Sequence, residues 1–210
     1  MRPVICLSTP SVRGLPAETL LLDRIDAAAR TGVHMIQIRQ PEMEGGELAR
    51  LVGRAVAVAR STGARILVNE RVDVALAAGA HGVHLREASV AALRVRAVVP
   101  QGFIIGRSVH SSEEALRAAL DGGLNYLIFG TVFETRSKPG ASAAGTARLA
   151  AACGMVSLPV IGVGGMTTPR LREVAAAGAA GFAAIGLFSG ASIEQLPGVV
   201  REASAAFGTP

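Results

Sequence analysis

The sequence predicts an α/β fold of the (β/α)8 class, a TIM barrel in which eight parallel strands close into a cylinder inside a ring of helices. Two observations carry this reading. Eight apolar runs of strand length recur along the chain, each followed by a stretch with apolar residues at three- and four-residue spacing. The runs are continuously apolar, so both faces of each strand need cover, as in a parallel sheet beneath helices. The period of roughly 26 residues is that of a βα unit and spans residues 1–210 as one domain. An open doubly wound sheet is the alternative, but no Gly-x-Gly-x-x-Gly follows the first strand, so a dinucleotide site has no support.

The first unit sets a strand at 4–8 before a helix at 20–30, which ends on Arg30-Thr31-Gly32 as helix C-termini do. The second pairs 35–39 with a helix at 46–61. The third pairs 66–69 with 72–78, closed by Gly79, and the fourth pairs 82–85 with 90–98. In the fifth, a strand at 103–108 precedes a helix at 113–120. There Ser111-Ser112-Glu113-Glu114 reads as an N-cap with an acidic first turn, and Asp121-Gly122-Gly123 ends the helix. The sixth joins 126–130 to 146–152. The seventh joins 160–163 to 169–177, with Thr168-Pro169 placing proline at the first helical position and Gly178 past the end. The eighth joins 182–185 to 193–207.

Half of the residues are apolar, with no Trp and one Tyr, enough for one sizeable core. The formal charge is +5, but the arginines are scattered instead of forming a stripe interleaved with aromatics, which argues against nucleic acid and for a small anionic ligand. No apolar run approaches the ~20 residues of a membrane span, and the N-terminal run is too short for a signal peptide. Cys6 and Cys153 lack metal-ligand spacing and read as small buried residues in a reducing compartment, so a cytoplasmic protein is expected.

In such a barrel the residues just after the strands share one face. Here they are Gln37 and Arg39, Asn69 and Glu70, Arg86 and Glu87, Ser108 and His110, residues 131–138, Gly164 and Gly165, and Gly186. Gly164, Gly165 and Gly186 follow the seventh and eighth strands, where backbone N–H groups receive phosphate, and Ser189-Gly190-Ala191 is expected to open a short helix beside them. Of four histidines, His34 and His81 fall at the opposite end and His84 lies within a strand, all three structural. His110 stands just past a strand on the mouth side, where an imidazole is suited to moving a proton near neutral pH. Lys138 is the single lysine among 21 basic residues.

The stretches Gln37-Ile38-Arg39, Asn69-Glu70-Arg71-Val72-Asp73, Gly82-Val83-His84, Gly106-Arg107-Ser108-Val109-His110-Ser111, Phe129-Gly130-Thr131-Val132-Phe133-Glu134-Thr135 and Val163-Gly164-Gly165-Met166 resemble the thiamine-phosphate synthase/TenI superfamily, in order over nearly the whole chain. The resemblance implies a barrel that binds a thiazole phosphate. The synthase branch couples it to a pyrimidine diphosphate using Mg²⁺ held by two Asp. Those positions are Glu70 and Ser89 here, and a Lys after the second strand's Arg is replaced by Pro41; Glu87 lies near as a substitute carboxylate. The tautomerase branch aromatises a carboxythiazole phosphate by a proton shift and needs no cofactor and no metal. The run ending in His110 and Phe133-Glu134-Thr135 are similar to that branch.

The expected function is therefore thiazole tautomerase, an isomerase, with His110 as general acid/base. Gln37, Arg39, Asn69, Arg107, Ser108, Thr135, Ser137 and Lys138 would bind substrate, and Gly164, Gly165 and Gly186 its phosphate. Thr135, Ser137 and Lys138 also match diphosphate positions of the synthase. Thiamine-phosphate synthase and a non-catalytic phosphate-ligand sensor are the alternatives. A homodimer paired through alanine-rich helices is expected.

Overall fold

The structure, a computed structural model, describes residues 3–135, 140 and 142–208. Eight parallel strands run in chain order around a closed barrel: β1 (Val4–Ser8), β2 (Met35–Ile38), β3 (Arg65–Asn69), β4 (Gly82–Leu85), β5 (Ile104–Val109), β6 (Tyr126–Gly130), β7 (Val160–Val163) and β8 (Gly181–Ala184). Pairing of Val4 with Gly181 and Cys6 with Ala183 joins β8 to β1 and closes the cylinder. Helices follow every strand: α1 (Leu15–Arg30), α2 (Gly45–Ala59), α3 (Val72–Ala77), α4 (Ala92–Arg96), α5 (Ser112–Asp121), α6 (Gly145–Met155), α7 (Thr168–Ala176), and after β8 both α8 (Gly186–Ser189) and α9 (Leu196–Gly208). This is the (β/α)8 barrel expected from the apolar runs.

Alternation along each strand divides the apolar residues into two sets. Ile36, Ile66, Val83, Ile105 and Leu127 belong to the cluster shared with the helices and are wholly buried. Each such side chain stabilises the fold by roughly 1.5–3 kcal/mol relative to leaving it exposed. Cys6, Met35, Leu67, Tyr126, Ile128, Ile161 and Ala183 form a second cluster inside the barrel. Burial pushes the Cys6 thiol up to about 12, so it stays protonated, and both cysteines are free thiols. None of the helices among the described residues is long and apolar enough to cross a membrane.

Helix ends follow local chemistry. The Ser111 hydroxyl accepts from the Glu114 N–H at 3.1 Å, the N-cap expected for α5. α1 begins well before the expected residue 20, because Gly14 turns the chain at φ 79 and Pro16 occupies the first turn. The last strand sits one residue earlier than expected, and Ile185, at φ −103 and ψ −64, leaves it to start α8. The short helix therefore opens at Gly186, and Ser189-Gly190-Ala191 ends it instead of opening it.

Candidate active site

Side chains toward the C-terminal ends of β1 to β5 make a polar floor above the apolar plug of the barrel, which Tyr126 at the start of β6 joins from below. The Ser8 hydroxyl donates to Gln37 Oε1 at 2.9 Å, and Gln37 Nε2 donates to Asn69 Oδ1 at 3.3 Å. His84 and Asn69 are neighbours in register across β3 and β4. The His84 ring lies between the Tyr126 hydroxyl, 3.1 Å from Nδ1, and the Ser108 hydroxyl, 2.9 Å from Nε2. Burial lowers the His84 pKa to about 4, an effect that Glu70 opposes and Arg107 assists. Burial likewise lifts Tyr126 well above the ordinary phenol value. Both groups are neutral at physiological pH, and the floor presents hydrogen bonds without net charge.

The second part of the mouth is a cavity of about 1420 Å³ at the ends of β7 and β8, lined by Thr135, Gly164, Gly165, Gly186 and Arg170 among others. Gly164 and Gly165 have φ of 104 and 62. A Cβ would lie 2.5 Å from Thr131 Cγ2 at the first and 2.4 Å from the Glu134 carbonyl oxygen at the second. Both glycines thus have a purely local reason: a left-handed turn pressed against the loop after β6. Gly186 has none, for a Cβ there would meet nothing within 4 Å. The space in front of Gly186 opens on the cavity, where its backbone is accessible to an anion. Arg170, unnoticed in the sequence, fixes this turn: Nη1 donates to the Gly165 carbonyl at 2.8 Å, and the guanidinium lies 4.7 Å from the Phe133 ring centroid.

The remaining expected residues are spread around the rim. His110 is exposed on the mouth side; its Nδ1 is hydrogen-bonded to the Gly130 carbonyl, and its N–H donates to Glu114 Oε2 at 2.6 Å. It does not line the large cavity. Arg39 is exposed, its N–H held by Thr9 Oγ1 at 3.0 Å. Arg107 donates to the backbone carbonyls of Glu87 at 2.7 Å and Val90 at 2.5 Å, which ties down the loop after β4. Ser137 and Lys138 lie outside the described residues. His34 and His81 accept the N–H groups of Ile5 and Ile66 at the far end of the barrel, the structural role expected of them.

At the corner between β3 and β4, Glu70 adopts a left-handed φ of 68, uncommon for a residue with a Cβ. Its Oε1 accepts from the Arg86 N–H at 2.6 Å and from the Ser89 hydroxyl, and its Oε2 accepts from Arg86 Nε at 2.9 Å. Partial burial on its own would raise the Glu70 pKa, but the Ser89 hydroxyl and the Arg86 N–H and guanidinium outweigh it and hold the carboxyl below its ordinary value. These residues do not fit a magnesium cage. Both Glu70 carboxylate oxygens are engaged, Oε2 by the Arg86 guanidinium, Ser89 at the second position has no carboxylate, and Glu87 is exposed. No group of three His, Cys, Asp or Glu suited to a metal occurs among the described residues.

Comparisons with known proteins bear on what such a mouth does. A family model described as thiamine monophosphate synthase (TMP-TENI) matches residues 8–188. A thiamine-phosphate synthase of Roseiflexus sp. is 38% identical over 180 residues, covering 85% of this chain and 76% of that protein. One of Chlorobium luteolum is 35% identical over 184 residues, covering 87% and 84%. A solved thiamine phosphate pyrophosphorylase from Pyrococcus furiosus is similar with a TM-score of 0.83 at 28% identity, covering 97% of this chain and 96% of that one.

These names overturn the tautomerase expectation and the isomerase class with it, since the relatives are named as a synthase, which is a transferase. The expectation leaned on the run around His110 and on the carboxylate missing at Ser89. His110 is anchored on the rim outside the large cavity. Ser89 is no vacant ligand position, since it is hydrogen-bonded to Glu70.

Proposed function

The chain belongs to the thiamine monophosphate synthase family, and from that premise we propose that it couples a thiazole phosphate to a pyrimidine diphosphate, making a thiamine phosphate. The bond between the pyrimidine methylene and the diphosphate oxygen breaks, a bond from the methylene to the thiazole forms, and diphosphate leaves with the electron pair.

One relationship supports this reading: an uncharged hydrogen-bonding floor and a glycine-lined turn that opens on a cavity lie at the same end of one barrel. The cradle of Gly164, Gly165 and Gly186 takes the thiazole's phosphate on backbone N–H groups. The floor of Gln37, Asn69 and Ser108 suits a neutral heterocycle with ring nitrogens and an amino group, which offers both donors and acceptors. Holding two substrates in line removes the entropic cost of their encounter. Arg39, Thr135, Ser137 and Lys138 are assigned to the diphosphate side, where cations and hydroxyls balance the charge developing on the leaving group. No proton transfer is assigned to His110.

Both substrates are charged and do not cross membranes unaided, so we place the reaction in the cytoplasm. We also propose a homodimer, supported by Leu93 and Leu120, which are 58% and 77% exposed on adjacent α4 and α5. The test of function is direct: thiazole phosphate and pyrimidine diphosphate are mixed with the full chain, and thiamine phosphate and released diphosphate are measured together. Equal yields of the two are expected. No product with both substrates present would overturn the reading.

A further inference from the structure

The disagreement at Glu70 has a chemical meaning of its own. A magnesium ion between two carboxylates makes a locally neutral unit that still offers positive coordination sites to phosphate oxygens. The corner formed by Glu70 and Arg86 is also neutral, with no ion. A divalent cation approaching Glu70 would have to displace the Arg86 Nε at 2.9 Å and would face its positive charge. Glu70 instead serves Arg86: it binds the N–H and the Nε of the same residue and so holds that side chain in one orientation.

Three features make this an anion site. The Arg86 side chain is 74% exposed and its Glu70 partner 22%, so the cation is presented outward while the acid is screened behind it. The two terminal nitrogens of Arg86 donate to no acceptor among the described residues, and a guanidinium fork matches adjacent phosphate oxygens. The corner also adjoins the floor: the Glu70 N–H donates to the His84 carbonyl at 2.9 Å, and Arg107 secures the carbonyls of Glu87 and Val90 in the loop that carries Arg86 and Ser89.

We propose that Arg86, held by Glu70 and Ser89, binds the diphosphate group directly, in place of a carboxylate-bound magnesium ion. The proposal rests on the synthase reading for its choice of diphosphate, and it makes diphosphate binding by this chain independent of divalent metal.

The experiment is calorimetric titration of the full chain with inorganic pyrophosphate, in EDTA and again in excess MgCl₂. Wild type is expected to bind in EDTA, with magnesium changing the affinity by less than about tenfold. Arg86→Ala is expected to weaken binding in EDTA by about tenfold or more, the usual loss of a charge-assisted hydrogen bond. Ser89→Asp supplies a second carboxylate and is expected to make binding respond to magnesium. Unchanged melting of each variant shows that the fold is intact, and Arg86→Gln replaces any alanine variant that fails to fold. Binding by wild type only when magnesium is present, or Arg86→Ala binding like wild type in EDTA, overturns the proposal.

The coupling reaction run in the same two buffers separates the two claims. Coupling confined to magnesium, with no pyrophosphate binding in EDTA, sinks the anion site and leaves the synthase reading standing. Pyrophosphate binding in EDTA that depends on Arg86, with no coupling in either buffer, does the reverse.

Discussion

His84 Nε2 lies 2.9 Å from the Ser108 hydroxyl, and the other edge of the ring decides which of the two donates. The Tyr126 hydroxyl, kept protonated by burial, donates to Nδ1, which leaves the proton on Nε2 to be given to Ser108. Ser108 then accepts from below, and its own O–H is directed to whatever fills the mouth. Ser108→Ala is expected to lower kcat/KM by about three- to tenfold, the value of one neutral hydrogen bond, and to lower stability by up to about 1–3 kcal/mol, because the buried His84 Nε2–H loses its acceptor. Steady-state kinetics beside thermal melts check this, and an unchanged kcat/KM would remove Ser108 from the site.

Tyr126→Phe tests the same chain from its buried end. It leaves His84 Nδ1 without its donor in a fully enclosed place, at a cost of about 1–3 kcal/mol in urea unfolding. A phenylalanine variant as stable as wild type would mean that the pair contributes no net stability.

The buried imidazole also makes the fold acid-sensitive. His84 has a pKa of about 4 in the folded protein against the ordinary imidazole value of 6.5, so below pH 6.5 the unfolded chain binds a proton that the folded chain refuses. Stability is thus full above pH 6.5 and falls as the pH drops toward 4, by roughly 3 kcal/mol in all. Unfolding free energies of wild type and His84→Gln across that window check it. The glutamine variant is expected to lose most of the slope, and equal slopes would place the acid sensitivity elsewhere.

Why the barrel was legible and the place of His84 in the floor was not is visible in these same residues. Val83 and Leu85 face the helices, so β4 reads as apolar, and the runs alone suffice to count eight strands. His84, between them, points inward, where a polar side chain looks like an isolated packed histidine until Ser108 and Tyr126, from other strands, come within reach. The inward alternation of Gln37, Asn69, His84 and Ser108 at the tops of successive strands was the available signal. Arg86 and Arg170 gave no such signal, because a guanidinium's role depends on which carbonyl or carboxylate the fold sets beside it. His110 differs: its position after a strand on the mouth side was read correctly, and the reaction tied to it, tautomerisation, is what the names of the relatives overturn.

The cradle glycines separate packing from ligand binding. Gly165→Ala puts a Cβ 2.4 Å from the Glu134 carbonyl oxygen at a φ of 62, and is expected to lower stability by at least about 1 kcal/mol. Gly186→Ala enters open space, so its stability should stay within about 0.5 kcal/mol of wild type. Its KM for thiazole phosphate is nevertheless expected to rise, because the methyl group occupies the room in front of the backbone. A Gly186→Ala enzyme with wild-type KM would exclude that backbone from phosphate binding.

Arg170 reaches that cradle from outside, and its two contacts divide its contribution. The hydrogen bond to the Gly165 carbonyl holds the turn, and stacking on Phe133 holds the loop after β6 against it. Arg170→Ala is expected to destabilise the protein by about 1 kcal/mol and to raise KM for thiazole phosphate more than it lowers kcat, since the damage is to the shape of the binding turn. Arg170→Lys keeps the charge but loses the planar face that lies on Phe133, so it should recover only part of the KM. Full rescue by lysine would show that charge alone matters, and an effect on kcat alone would place Arg170 in the chemical step instead of the cradle.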